Sequence, residues 1–298
     1  MEEDDVVNNN NNYKNKAHLQ SRVIFPPQLL YSVLEALKEL IIICLTCFGP
    51  YLILGLLYFS LAIILICDLF KINGYDIVAQ VWGFYLRNYH QQTFTGIAHI
   101  PKEGAAMLVW YHGPIPVDYM GLVAELYRRD KRLIYTVVDR SLACVPGFKT
   151  CKRLLRMVTD GRERCVDLLR RGEIVGVAPG GAREALFGDG YTLEHWGART
   201  GFANVAMDSG APIIPVFTED IREAYCTMKT GRRFLRTIFE KIKQPIVPIY
   251  WGFPVKLTTH VGCPIAPLKD ETAQQLKERV KTALEELIIK HQKTSKKD

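Results

Sequence analysis

From Leu40 to Cys67 the chain runs for 28 residues without a charged side chain, bounded by Glu39 and Asp68. Crossing the hydrocarbon core of a bilayer takes about 20 apolar residues, and a buried core helix rarely needs more than that. The run therefore predicts a membrane-embedded helical segment. Only one such run exists, which excludes a polytopic transporter. Gly49-Pro50 interrupts it. Proline removes a helical hydrogen bond and crowds the preceding turn, so two geometries stay open: one kinked, tilted span, or a hairpin entering and leaving on the same face. Positive charge does not choose an orientation, because Lys14, Lys16, Arg22 and Lys38 precede the run and Lys71 and Arg87 follow it. Residues 25–39 read as an amphipathic helix at the bilayer surface.

Upstream, residues 1–22 read as a disordered polar tail containing an asparagine run, Asn8 to Asn12. The chain opens with Glu2, Glu3, Asp4 and Asp5, where a secretory signal carries positive charge, so no cleavable signal is expected. The eight cysteines match neither a disulfide framework nor a zinc site. Cys44 and Cys47 sit inside the apolar run and read as small apolar residues. Reduced thiols suit a domain facing the cytosol. The expected division is a tail over 1–22, an amphipathic and membrane-anchor segment over 23–72, and a single domain over 73–298.

Beyond residue 95 short β-prone runs alternate with amphipathic stretches. Ala105–Tyr111, Leu133–Val138, Glu173–Ala178, Pro212–Phe217 and Val255–Val261 read as strands. Tyr119–Arg129, Cys151–Met157, Glu163–Arg171 and Thr272–Gln292 read as helices, the last burying a face of Leu276, Val280, Ala283, Leu284, Leu287 and Ile288. Such alternation predicts an α/β fold: a mainly parallel sheet flanked by helices, behind the N-terminal membrane-embedded segment. Sites in such sheets lie beyond the carboxyl ends of the strands.

Two constellations fall at such ends. After the first strand come His112, Gly113 and, past two prolines, Asp118. An aspartate brought back onto the imidazole fixes its tautomer and stabilises its charged form, which makes a general base. The competing reading is a structural histidine with an aspartate capping the next helix. After the third strand comes Pro179-Gly180-Gly181-Ala182-Arg183-Glu184. A glycine pair lets backbone N–H groups approach a ligand oxygen, and Arg183 suits a carboxylate, phosphate or polar head group; a plain tight turn is the alternative. No Gly-x-Ser-x-Gly elbow, P-loop or dinucleotide loop occurs. No histidine cluster shows metal-ligand spacing, and His195 reads as structural or surface.

In these blocks and their order the chain resembles the glycerolipid acyltransferases. His112 and Asp118 resemble the first block, with five intervening residues where the family has four. Asp139-Arg140, followed by Val145-Pro146-Gly147, resembles the second. Residues 178–183 align with the third, Gly180 standing where the family usually has glutamate and Arg183 keeping its arginine; Pro179 to Glu184 resemble the Pro-Gly-Gly-Ala-x-Glu form of the neutral-lipid branch. Pro212 to Val216 resembles the fourth, and Trp110-Tyr111-His112-Gly113 half-matches a diacylglycerol acyltransferase motif. The resemblance implies acyl transfer from acyl-CoA to the glycerol hydroxyl of an acylglycerol at the endoplasmic reticulum membrane. It implies His112 and Asp118 as catalytic residues. The substrate-binding set is Gly113, Asp139, Arg140, Pro179, Gly180, Gly181, Arg183 and Glu184. No cofactor or metal is expected, acyl-CoA being a substrate.

The expected partners are the lipid bilayer, acyl-CoA and an acylglycerol acceptor. Acyl transfer to a lysophospholipid and a non-enzymatic lipid-binding scaffold are the alternatives. Residues 1–39 carry a net charge of −2 and the apolar run none, so the 231 residues after Cys67 hold +9 where the whole chain nets +7. That excess suits work beside anionic lipid on an anionic thioester. Arg232–Lys243 sets Phe234, Leu235, Ile238, Phe239 and Ile242 on one helical face and basic residues on the other. It reads as an interfacial helix, a CoA phosphate site or an ordinary domain helix. Basic residues interleaved with membrane-grade apolar ones, and no base-reading motif, exclude nucleic-acid binding.

Overall fold

The computed structural model describes residues 27–140, 148–159, 161–228, 230–242, 247–251 and 254–292. The tail over 1–22 and the Val145-Pro146-Gly147 block lie outside them. The chain divides into two compact units, Met1–Leu45 and Thr46–Asp298. In the first, the described residues are helical throughout. Tyr31, Leu34, Leu37 and Leu40 are exposed there, beside a Glu35–Lys38 ion pair at 3.2 Å.

Helix α1 spans Pro27–Leu69 without a break at Gly49-Pro50. The reversal that the sequence left open is therefore absent. Its Leu52–Leu69 part is long and apolar enough to cross a membrane. One side of that part is built into the second unit: Ile53, Leu61, Ile64 and Cys67 are buried. Helix α2 (Gly74–Tyr89) starts with Gly74 close against Ile64, and Trp82 Nε1 donates to Ser60 Oγ at 3.0 Å. Leu52, Phe59, Ile66 and Leu69 point outward, and exposed Phe70, Ile72, Ile77 and Phe84 extend this apolar surface over α2.

Seven strands form one sheet: β1 (Thr93–Thr95), β2 (Ala106–Trp110), β3 (Ile134–Val137), β4 (Met157–Val158), β5 (Ile174–Val177), β6 (Ile213–Thr218) and β9 (Thr258–Val261). Their order is β1-β9-β6-β2-β5-β3-β4, and only the β6–β9 pairing is antiparallel. The strands of the centre are apolar almost throughout, as a sheet covered on both faces requires; β2 and β6 are buried at every position, Thr218 at the end of β6 included. A separate hairpin pairs β7 (Tyr225–Thr227) with β8 (Ile249–Trp251).

The covering helices are α3 (Val117–Asp130), α4 (Phe148–Leu154), α5 (Arg162–Arg170), α6 (Gly181–Phe187), α7 (Gly201–Ser209), α8 (Ile221–Ala224), α9 (Arg232–Ile242) and α10 (Ala273–His291). Helix α10 opens with a capping box between Thr272 and Gln275 and buries Leu276, Val280, Leu284 and Ile288. Each of those side chains contributes roughly 1.5–3 kcal/mol. On the opposite side Tyr119, Leu122 and Leu126 of α3 fill a cluster with Leu108, Trp110, Ile134, Ile174 and Ile214. Trp110 stacks on Tyr119 with centroids 3.9 Å apart. The helix expected over Cys151–Met157 sits earlier, at Phe148–Leu154, because Arg156 takes a left-handed φ of 52° and Met157 enters β4.

Candidate active site

Strands β5, β2 and β6 are parallel neighbours, so their carboxyl ends meet at one edge of the sheet. Val109 is level with Val177, so His112 and Gly180, three residues further on, leave the edge side by side. Thr218 ends β6 on the other flank. The two constellations expected at strand ends are thus neighbours in space.

Glu184 ties them together. It is fully buried. Its Oε1 accepts from the backbone N–H of His112 at 2.8 Å, and its Oε2 from Trp196 Nε1 at 3.2 Å. Burial pushes its carboxyl up to about 7, against the lowering pull of the His112 amide, Arg222, Trp196 and Arg199. Both oxygens are occupied and none of the side chain reaches solvent. A contact between Glu184 and substrate, expected from the sequence, is therefore corrected to a tie between the His112 loop and α6.

The glycine pair explains how this carboxylate fits. A Cβ on Gly180 would lie 2.3 Å from Glu184 Oε2, and Gly181 has φ of +55°. One position needs the close approach and the other the left-handed conformation. Gly180→Ala should cost about 1–3 kcal/mol through that clash and about 100-fold in acyl transfer through misplacement of the His112 loop. Gly201→Ala, which meets nothing within 4 Å, should change neither; thermal melts and labelled-acyl assays on both variants check this.

His112 is partly open to the surface, though closely surrounded. Its Nδ1 bonds to the Gly113 carbonyl oxygen at 2.7 Å. A carbonyl only accepts, so Nδ1 carries the hydrogen and Nε2 the lone pair. Desolvation, with a smaller push from Arg222, lowers the imidazole pKa against the raising effect of the Gly113 bond. The ring is thus neutral near pH 7, with Nε2 as a base.

Asp118 departs from expectation. It lies in the first turn of α3 and is 4% exposed. No hydrogen bond joins it to His112, and its Oδ1 has no partner. Burial pushes its carboxyl up to about 6, while a hydrogen bond from Thr218 holds it down. Its backbone carbonyl accepts from Gln92 Nε2 at 3.0 Å. Gln92 also donates to Thr259, itself bonded to Thr218. This chain seats Asp118 beneath the site, so the Gly113 carbonyl takes the tautomer-fixing contact expected of Asp118.

Arg183 pairs with Glu240 of α9 at 2.7 Å, both side chains about a third exposed, rather than standing as an unpaired cation. Gly181 N–H, one of the two expected oxyanion donors, is occupied by the Ala178 carbonyl at 3.1 Å, and Pro179 and Gly180 are buried. Asp139 and Arg140 are exposed past the end of β3, where Arg140 Nε donates to the Thr159 carbonyl at 3.3 Å.

Three contributors escaped the sequence reading. Arg222 donates to Tyr111 Oη and to the Glu184 carbonyl oxygen. Arg199 donates to the Pro179 carbonyl at 2.7 Å. Tyr111 Oη donates to the Gly190 carbonyl at 2.7 Å. The available signal was position: an arginine just past the end of a buried strand. His195, read as structural or surface, is half-buried beside the fully buried Trp196.

The pattern of the acyltransferase family matches residues 91–219, a range that holds His112, Asp118 and the Pro179–Glu184 loop. A human protein named "DGAT1/2-independent enzyme synthesizing storage lipids" is 39% identical over 216 residues, 72% of this chain and 66% of that protein. A chicken protein of the same name is 40% identical over 218 residues, 73% of this chain and 65% of that protein. The chain thus spans just under two thirds of the length of these relatives. The crystal structure of a 1-acyl-sn-glycerophosphate acyltransferase, PlsC, from Thermotoga maritima aligns over 84% of this chain and 93% of that one, with 18% identity and a TM-score of 0.46.

Proposed function

The chain belongs to the acyltransferase family, and on that footing we propose that it moves an acyl chain from acyl-CoA to the hydroxyl of a mono- or diacylglycerol. The carrying observation is His112, neutral, partly exposed and presenting Nε2 at the strand-end edge. The acceptor oxygen attacks the thioester carbonyl carbon as Nε2 takes its proton. The oxyanion collapses, the C–S bond breaks, and the departing CoA thiolate takes the proton from the imidazolium. The Gly180 amide is the candidate oxyanion donor; one such donor supplies about 3 kcal/mol. Ionised Asp118 would stabilise the imidazolium, and Arg183 and Arg140 would meet CoA phosphate or the acceptor head. The step calls for no metal and no covalent acyl-enzyme.

The relatives' storage-lipid name supports the neutral-lipid acceptor, as does the Pro-Gly-Gly-Ala-x-Glu loop. An endoplasmic reticulum location, with the α/β body in the cytosol, belongs to the same reading. An apolar cleft of about 380 Å³ lined by Leu52, Leu56, Val81, Phe84 and Tyr85 lies between α1 and α2. Lipid profiles of cells expressing wild type or His112→Ala test the proposal. A His112-dependent rise in triacylglycerol is expected. A shift in phospholipid acyl chains would favour the lysophospholipid acceptor, and no His112-dependent change the scaffold.

Helix α9 offers a second membrane contact. Phe239 is buried against Phe187, while Phe234 and Ile242 are exposed among Arg233, Arg236 and Lys241. Apolar side chains rimmed by cations suit an anionic bilayer surface. A fluorophore on Phe234→Cys, in the full chain in nanodiscs, should be quenched by spin-labelled lipid. The same probe on Gln274→Cys at the start of α10 should not be. Equal quenching at both sites would discard the contact.

A further inference from the structure

The opposite side of β6 carries a cluster that the acyl-transfer chemistry does not use. Glu219 follows the last residue of β6, and β9 pairs antiparallel with Phe217 level with His260. Side chains alternate along a strand, so Glu219 shares a face with Phe217 and therefore with His260. On the other edge of β9, Thr95 is level with His260 and shares that face too. Helix α10 ends over it at His291.

The contacts follow from this placement. His260 Nε2 lies 2.6 Å from Glu219 Oε1, and His291 Nδ1 lies 3.8 Å from the same oxygen. The two imidazoles stack with centroids 3.6 Å apart. His260 Nδ1 bonds to Thr95 Oγ1 at 2.7 Å. One ligand atom from each of Glu219, His260 and His291 lies within 4.8 Å of the others.

We propose that Glu219, His260 and His291 bind one divalent transition-metal ion of zinc-like preference. Two imidazole nitrogens and one carboxylate oxygen are a donor set for zinc, which takes such ligands at about 2.0–2.2 Å. Tetrahedral donors at that range stand roughly 3.3 Å apart, within the spread of the present atoms. The stacked rings hold their lone pairs in nearly parallel planes, so the His291 ring, one quarter exposed, would swing off His260 to meet the ion, and water completes the shell. His260 is 5% exposed, and Thr95 holds its other nitrogen as an outer-shell partner does. The carboxyl end of α10, where His291 sits, favours a cation. Lys290 is the neighbouring cation, and Asp220, held by Gln292 at 2.8 Å, the neighbouring anion. An ion here would clip β6, β9 and α10 together one residue past Thr218, the hydroxyl that holds Asp118. The role is structural support for the site floor.

The test uses the full chain in nanodiscs, treated with chelator and titrated with Zn²⁺ alone by calorimetry, then with Co²⁺ by visible absorption. One ion per chain and the intense bands of four-coordinate Co²⁺ are expected. Glu219→Gln and His291→Ala should each abolish both signals, while Thr95→Val should weaken binding about 10- to 100-fold. His195→Ala should bind as wild type does. His291 ends its helix and is one quarter exposed, so its variant reports on binding even if Glu219→Gln fails to fold. Absence of binding, or unchanged stoichiometry in His291→Ala, would overturn the site.

Discussion

His112→Ala should reduce acyl transfer by about 10²- to 10⁴-fold, the range a positioned general base supplies, while the protein stays in the membrane fraction. The two readouts separate because they rest on different parts of the chain. Membrane retention is assigned to the apolar run of α1 and the exposed side chains that continue it over α2. Turnover rests on the imidazole, with Nδ1 held by the Gly113 carbonyl and Nε2 left to accept a proton. Labelled acyl-CoA assays on washed membranes, with immunoblots of the same fractions, give both numbers. A variant that retains wild-type turnover would remove His112 from the chemistry.

Glu184 carries the largest expected effect on stability. Glu184→Ala removes the acceptor for two enclosed donors, the His112 amide and Trp196 Nε1. Each orphaned donor costs about 1–3 kcal/mol, for a total of about 4 kcal/mol and a fall in melting temperature of roughly 10 °C. The activity should fall with it, since the same bond sets the His112 loop.

The pH dependence of that stability has a definite sign. Burial raises the folded-state pKa of Glu184 from 4.5 to about 7. The folded state therefore holds the proton more tightly. Its contribution is complete below pH 4.5 and is lost as pH rises toward 7. Glu184→Gln has no proton to lose. The stability of wild type relative to Glu184→Gln should fall by about 3 kcal/mol across that window and stay level above it. Denaturant melts of the two proteins at pH 4.5, 6 and 7.5 measure it. A constant gap would mean that Glu184 is ionised throughout.

The parts of the fold that could be read from the chain are those dictated locally. Central strands declare themselves because a sheet covered on both faces demands unbroken apolar runs, as in Ala106–Trp110 and Ile213–Phe217. Helix α10 shows its buried stripe at helical spacing. The two-residue β4 and three-residue β1 are too short to carry a pattern, and α6 hides behind a glycine pair that reads as a loop. The site divides in the same way. His112 and Gly180 are legible because each follows a strand end. The seating of Asp118 is not, since it depends on residues far off in sequence: Thr218 bonds its carboxyl and Gln92 its backbone carbonyl. Nor is the burial of Glu184, which depends on Trp196 and Arg222 closing over it from separate segments.

In the proposed function, this strand-end site performs acyl transfer from a thioester to a glycerol hydroxyl with His112 as base. Purified protein in nanodiscs, given acyl-labelled acyl-CoA with either diacylglycerol or a lysophospholipid, tests it most directly. The prediction is label in triacylglycerol, free CoA thiol released in equal amount, and an acid limb lying below the ordinary histidine pKa, as the lowered His112 value requires. Label that reaches no glycerol hydroxyl, or that arrives equally with His112→Ala, would contradict it.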